Sequence, residues 1–198
     1  VPDARSIKLL IQELAAVDAP KRESAAQAIY QQGLELARPA VELWMADAEF
    51  KCILVFDNPD FPITTVGVAV QPEDFERIRA ANGPVSLADV PPDQDAKEFE
   101  LHFGSEIRLD ILTTREPEGA GAIARFLGKF GEGIQQIELL VKNVDGATEI
   151  LRTRFSQSSV YPATRPGADG TRVNFFLVAT PQGKKVLVEL VEEKRSKQ

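Results

Sequence analysis

The chain has 198 residues, 43% of them hydrophobic and 27% charged, with a formal net charge of −7. That length holds one domain or two small ones, and so much apolar residue builds a core and excludes general disorder. An acidic balance opposes a phosphate backbone, and no apolar run approaches the roughly 20 residues of a membrane span, so neither nucleic acid nor a bilayer is an expected partner.

The elements read as follows in chain order. Residues 4–46 are helical: Ile7, Leu10, Ile11 and Leu14 form one stripe, and Asp18-Ala19-Pro20 breaks it. Lys21 to Ala37 resumes the pattern, Pro39 ends or kinks it, and a short helix from Ala40 to Met45 carries Trp44. The segment Lys21 to Trp44 resembles a single HEAT-type helical repeat; one such unit cannot bury its own apolar face and is expected to pack on the rest of the chain. Residues 47–62 read as a strand and a turn at Asn58-Pro59-Asp60. The lone cysteine, Cys52, lies in the run Cys52-Ile53-Leu54-Val55-Phe56 and is expected as a buried small hydrophobe rather than a reactive thiol. With one cysteine there is no intrachain disulfide and no Cys-rich zinc site.

A repeated unit follows. Its first copy, at about 64–114, has a strand over Thr64 to Val70, a helix over Pro72 to Ala81, and strands over Lys97 to Phe103 and Ile107 to Thr113. A short helix near Ala122 to Phe130 links it to the second copy, at about 134–192. There a strand over Ile134 to Val141 and a helix over Val144 to Thr153 precede strands near Gln157 to Tyr161, Arg172 to Val178 and Lys185 to Val191. The expected fold is α+β: two βαβββ modules forming a cleft within 47–198, preceded by an N-terminal helical segment over 1–46. No signal-peptide pattern is visible, so the cytoplasm is the expected compartment. The basic tail Glu193-Lys194-Arg195-Ser196-Lys197 reads as a solvated terminus.

Strand alternation sorts the side chains. Val66, Val68, Leu109, Ile111, Ile137, Leu139, Val186, Val188 and Leu190 belong to the faces that helices cover. The opposite faces collect Thr65, Glu98, Glu100, His102, Arg108, Asp110, Gln136, Glu138 and Glu189. These read either as the wall of a hydrated cleft or as a plain exposed face. A carboxylate such as Glu189 inside an apolar strand is costly to bury without a partner or a task. Overlaying the copies pairs Thr65 with Gln136 and Asp110 with Glu189.

Several stretches carry a family resemblance: Gly131-Glu132-Gly133-Ile134, the loop Arg165-Pro166-Gly167-Ala168-Asp169-Gly170-Thr171-Arg172-Val173, and Val186-Leu187-Val188-Glu189-Leu190. Over about residues 64–192 the chain resembles the vicinal oxygen chelate (glyoxalase/bleomycin-resistance) superfamily, and within it methylmalonyl-CoA epimerase. That resemblance implies a glyoxalase-type pair of modules around a metal cleft. It sets the metal ligands at Asp110, Gln136 and Glu189, with Thr65 and Gln136 standing where relatives carry histidine. Imidazole makes such sites tight for zinc, nickel, cobalt or iron, whereas oxygen donors suit magnesium or manganese. It also implies a glutamate base, at Glu100 or Glu98, for proton abstraction beside a thioester. His102 is a surface residue or a donor to substrate or metal.

Two readings of function follow. In the first, the cleft keeps a small-molecule ligand, or a partner, but no cofactor, as in metal-free drug-binding relatives. In the second, a divalent metal with oxygen ligands supports an isomerase or lyase resembling the epimerase, with a Glu base, or a metal-free site works through Glu100 and Arg108. A scaffold role for the N-terminal helices is a third possibility. The resemblance alone suggests a homodimer.

Overall fold

The α+β architecture expected from the sequence is the one observed. A computed structural model describes residues 5–57, 59–180 and 183–193. In chain order its elements are α1 (Ile7–Glu13), α2 (Ala19–Met45), α3 (Ala48–Ile53), β1 (Thr64–Ala69), α4 (Pro72–Ala81), β2 (Ala96–Phe103), β3 (Ile107–Thr114), α5 (Ala122–Phe130), β4 (Gly133–Leu140), α6 (Val144–Arg154), β5 (Arg165–Pro166), β6 (Arg172–Ala179) and β7 (Lys185–Glu192). Packing divides the chain into two compact units. The first holds residues up to Gly33 with Thr65–Gln135, and the second Leu34–Thr64 with residues from Gln136 on.

In the first unit β3 pairs in parallel with β1 and antiparallel with β2. Helix α4 starts with Pro72, whose missing N–H costs nothing at that position. It buries Phe75 and Ile78, and the Phe75 ring meets Phe99 of β2 edge-on at 4.8 Å. The first two helices are stitched to this unit by polar contacts. Arg22 Nη1 donates to the carbonyls of Ala16 and Val17 at 2.8 and 2.9 Å, in the link between α1 and α2. Arg22 Nε donates to Asn82 Oδ1 at 3.1 Å, and Asn82 Nδ2 donates to Leu14 O and Ile78 O. The helical segment thus packs on the sheet-bearing part, as an isolated pair of helices must.

Asp95 holds the turn that leads into α5. It adopts a left-handed backbone with φ 45°. Its carboxylate accepts from Thr114 Oγ1 at 2.9 Å and from Glu116 N at 3.2 Å. A Cβ on Gly121, the N-cap of α5, would lie 2.4 Å from Asp95 Oδ2. Gly121→Ala is therefore expected to destabilise the fold by about 1–3 kcal/mol through overpacking, read as a lower urea midpoint. Gly128→Ala, which meets nothing within 4 Å, is the control.

In the second unit β7 pairs in parallel with β4 and antiparallel with β6, and the two-residue β5 lies beyond β6. Helix α6 buries Val144, Ala147, Ile150 and Leu151, and Asn143 caps it by accepting from Gly146 N at 3.0 Å. Asp145, in its first turn, is held by Thr164 and Arg172. The Thr164 hydroxyl and then the Arg172 guanidinium keep its carboxyl below the usual range. A depressed carboxyl stabilises the fold above its ordinary value of 3.8 and stops doing so as pH falls through the folded value. Asp145→Asn is expected to lower stability slightly at neutral pH, with the deficit closing below pH 3.8 in urea melts run across pH.

Four local expectations are corrected. Of the two outcomes expected at Pro39, an end or a kink, the end is excluded, because Pro39 lies inside α2. Pro39 is exposed, so water reaches the carbonyl it leaves unpaired, while Val41 and Trp44 beyond it are buried. Residues 48–53 are helix, not strand, because Asp47 caps them by accepting from Glu49 N and Phe50 N, both at 3.0 Å. Cys52 is consequently exposed on that helix rather than buried. The strand expected near 157–161 reduces to one bridge, Ser159 to Phe176. Arg152 holds that loop instead, donating to Ser159 Oγ and to the carbonyls of Tyr161 and Pro162.

Candidate functional site

The non-helix face of the second unit carries a small polar centre. Ile137 and Leu139 on β4 and Val188 and Leu190 on β7 are fully buried on the helix side, so Gln136, Glu138 and Glu189 share the other face. Glu138 stands opposite Glu189 in the parallel register. Gln136 Nε2 donates to Glu189 Oε2 at 2.7 Å and to Glu138 Oε1 at 3.0 Å. Gln136 and Glu189 are 8% and 7% exposed, so the carboxylate expected to need a partner has one. On the neighbouring strand Phe175 faces Glu189 in register, and Tyr161 meets the Phe175 ring edge-on at 5.8 Å. Arg165 lies over the Tyr161 ring at 4.4 Å.

The first unit carries the remaining candidates. Glu98, Glu100 and His102 occupy one face of β2, and their partners on β3 are Leu112, Asp110 and Arg108. Glu100 is thus directly opposite Asp110, a second pair of facing carboxylates, and His102 opposite Arg108. Asp110 is 8% exposed, while Glu100 and His102 are open to solvent. His102 Nε2 lies 3.3 Å from Glu100 Oε2. Thr65 is half-buried on β1, whose Gly67 pairs with Asp110.

The expected site residues therefore gather in two groups, Glu98, Glu100, His102, Arg108 and Asp110 with Thr65 in one unit and Gln136 with Glu189 in the other. Sequence reasoning gives Glu138 its face but no role; the available signal is its two-residue spacing from Gln136. The adjacent glutamine takes the other side of β4, where Gln135 Oε1 is buried without a hydrogen-bond partner. Glu132 of the Gly131-Glu132-Gly133 stretch accepts from Gln71 N, the N-cap of α4, at 2.9 Å, and burial raises its carboxyl with Asp74 nearby.

The fold is similar to that of solved structures. The chain is similar to methylmalonyl-CoA epimerase from Mycobacterium tuberculosis, with 31% identity and a TM-score of 0.53 over 66% of this chain and 86% of that one. The chain belongs to the vicinal oxygen chelate superfamily. A hypothetical protein of Bacillus halodurans C-125 is similar at 26% identity, with a TM-score of 0.55 over 68% of this chain and 95% of that one. A variant of the Streptomyces coelicolor methylmalonyl-CoA epimerase, in complex with 2-nitronate-propionyl-CoA, is similar at 25% identity, with a TM-score of 0.54 over 69% of this chain and 96% of that one. Neither a family profile nor a curated protein matches the chain.

The superfamily resemblance implies a metal, and the residues here fit a histidine-held one poorly. The only histidine, His102, lies beside Glu100 on an open strand face. On β4, Gln136 turns N–H groups toward Glu189 rather than a lone pair toward a cation. Among the described residues no group of three His, Cys, Asp or Glu is placed to hold a metal ion. No described helix is long and apolar enough to cross a membrane.

Proposed function

We propose that this vicinal oxygen chelate chain binds a small organic molecule on the polar, non-helix faces of its sheets, without the histidine-held metal of its superfamily. The observation that carries the reading is the Gln136 amide, spent between Glu189 and Glu138 at 2.7 and 3.0 Å. An amide engaged in this way is a hydrogen-bonding anchor, not a Lewis acid or a route to one. In this reading Thr65, His102, Arg108 and Asp110 are the binding positions of the first unit, and Gln136 and Glu189 those of the second. With it go a cytoplasmic setting, a homodimer, and no nucleic-acid or membrane partner; light scattering on eluted protein tests the dimer.

A second reading keeps an isomerase or lyase of the epimerase kind, and two observations favour it: the 31% identity to the mycobacterial epimerase and the facing pair Glu100 and Asp110. Two facing carboxylates are a common source of one acid and one base. In that reading Glu100, or Glu98 beside it, takes the proton. Of the oxygen ligands that the resemblance implies, Asp110 lies in the first unit and Gln136 and Glu189 in the second, and oxygen donors suit a hard cation.

Deuterium exchange at C2 of methylmalonyl-CoA separates the two. The binding reading expects no exchange above buffer, with or without added cobalt or manganese. Exchange that disappears in Glu100→Gln would overturn it in favour of the isomerase.

A further inference from the structure

Glu138 stands two residues from Gln136 on the same face of β4 and opposite Glu189 of β7. The Gln136 nitrogen reaches both carboxylates, at 3.0 Å to Glu138 and 2.7 Å to Glu189. A primary amide carries its two donors on nitrogen and its lone pairs on oxygen, and an ionised carboxylate only accepts. Two carboxylates around one amide therefore admit a single orientation. Turning the amide over would set its oxygen against both carboxylates, replacing two charge-assisted bonds with two repulsive contacts. One carboxylate alone would fix the orientation less firmly, because a single bond is lost on turning and water can replace it at the half-buried Glu138 side.

We infer that Glu138 is a positioning residue that, together with Glu189, locks Gln136 so that only its carbonyl oxygen is offered outward. A ligand on this face then needs a hydrogen-bond donor, an amide N–H or a hydroxyl, to engage Gln136. Phe175 stands in register with Glu189 on the same face, with Tyr161 against its ring, so the donor is best carried on a flat apolar body. An acceptor-only molecule of the same shape meets the Gln136 oxygen with nothing to give and is rejected. The ligand rule rests on the proposed binding function; the amide lock does not.

Nuclear magnetic resonance on the full chain tests both parts. The Gln136 side-chain NH2 pair, assigned through bonds, is expected to show both protons slowed in solvent exchange at neutral pH. Glu138→Ala, which removes the acceptor, releases one proton of the pair and Glu189→Ala the other, while Glu138→Gln, whose amide oxygen still accepts, gives a smaller change than Glu138→Ala. The probes are benzamide, which carries donors, and N,N-dimethylbenzamide, which has the same ring and none. Benzamide is expected to shift the Gln136 Cδ resonance and to bind about tenfold more tightly than its dimethyl analogue. In Glu138→Ala that ratio falls toward one.

An NH2 pair that exchanges as freely as an exposed glutamine, or that ignores both Glu138 variants, overturns the lock. Equal binding of the two probes overturns the donor rule. A lock that stands while neither probe shifts any resonance on this face overturns the binding function, and the donor rule with it.

Discussion

Trp44→Ala is expected to lower stability by about 3–5 kcal/mol, the usual range for emptying a buried tryptophan site. Trp44 is 2% exposed near the C-terminal end of α2. Its ring meets Phe50 of α3 edge-on at 5.8 Å and Phe176 of β6 at 6.4 Å. One side chain therefore joins two helices to the sheet of the second unit, and removing it ends both aromatic pairs and leaves a cavity. A domain of this size has roughly 5–15 kcal/mol to lose, so the variant stands near the limit of folding. Denaturant melts followed by far-UV circular dichroism read the effect. Trp44→Phe, which keeps an edge-on ring, is expected to recover more than half of the loss. A near-neutral Trp44→Ala would mean that the N-terminal helices are dispensable cover, and would revive the idea that they serve as a separate scaffold.

Gln136→Leu is expected to cost about 1.5–3 kcal/mol at neutral pH, because a charge-assisted bond to a carboxylate 7% exposed is lost. The variant also leaves Glu138 and Glu189, neighbours in register, without the donor that lies between them. Like charges directly opposite across a strand pair repel. Glu138→Gln added to Gln136→Leu removes one of those charges and is expected to restore part of the stability. Urea midpoints of the single and double variants measure this coupling. Ligand binding on the face is expected to vanish in both, since the anchor itself is gone. If Gln136→Leu proved stabilising, the centre would be a site of strain rather than a satisfied network.

Much of the fold was legible because period and punctuation agree. Pro72 opening a helix, and the alternation of Phe99 and Leu101 with Glu98, Glu100 and His102, leave few options for α4 and β2. The corrected elements share a cause: contacts made elsewhere in the chain override local apolar content. The run from Cys52 to Phe56 looks like a strand, but the cap at Asp47 and the carbonyl contacts from Lys142, whose Nζ donates to Cys52 O and whose backbone N–H donates to Ile53 O, hold its start as helix. Pro39 is tolerated because burial on both sides of it outweighs one lost bond, which no window of sequence reveals. In the site, alternation gives the face of each polar residue but not its partner. That Gln136, Glu138 and Glu189 share a face was legible; that the Gln136 nitrogen reaches Glu189 depends on the register of β4 on β7, which the sequence does not state.

In the proposed function Gln136, Glu138 and Glu189 form a hydrogen-bonded anchor rather than a metal centre. Calorimetric titration of untagged, chelator-treated protein with cobalt, zinc and manganese tests it most directly. No saturable uptake is expected for any of the three, in the native chain or in Glu189→Gln. One equivalent of metal bound tightly by the native chain, and lost in Glu189→Gln, would contradict it.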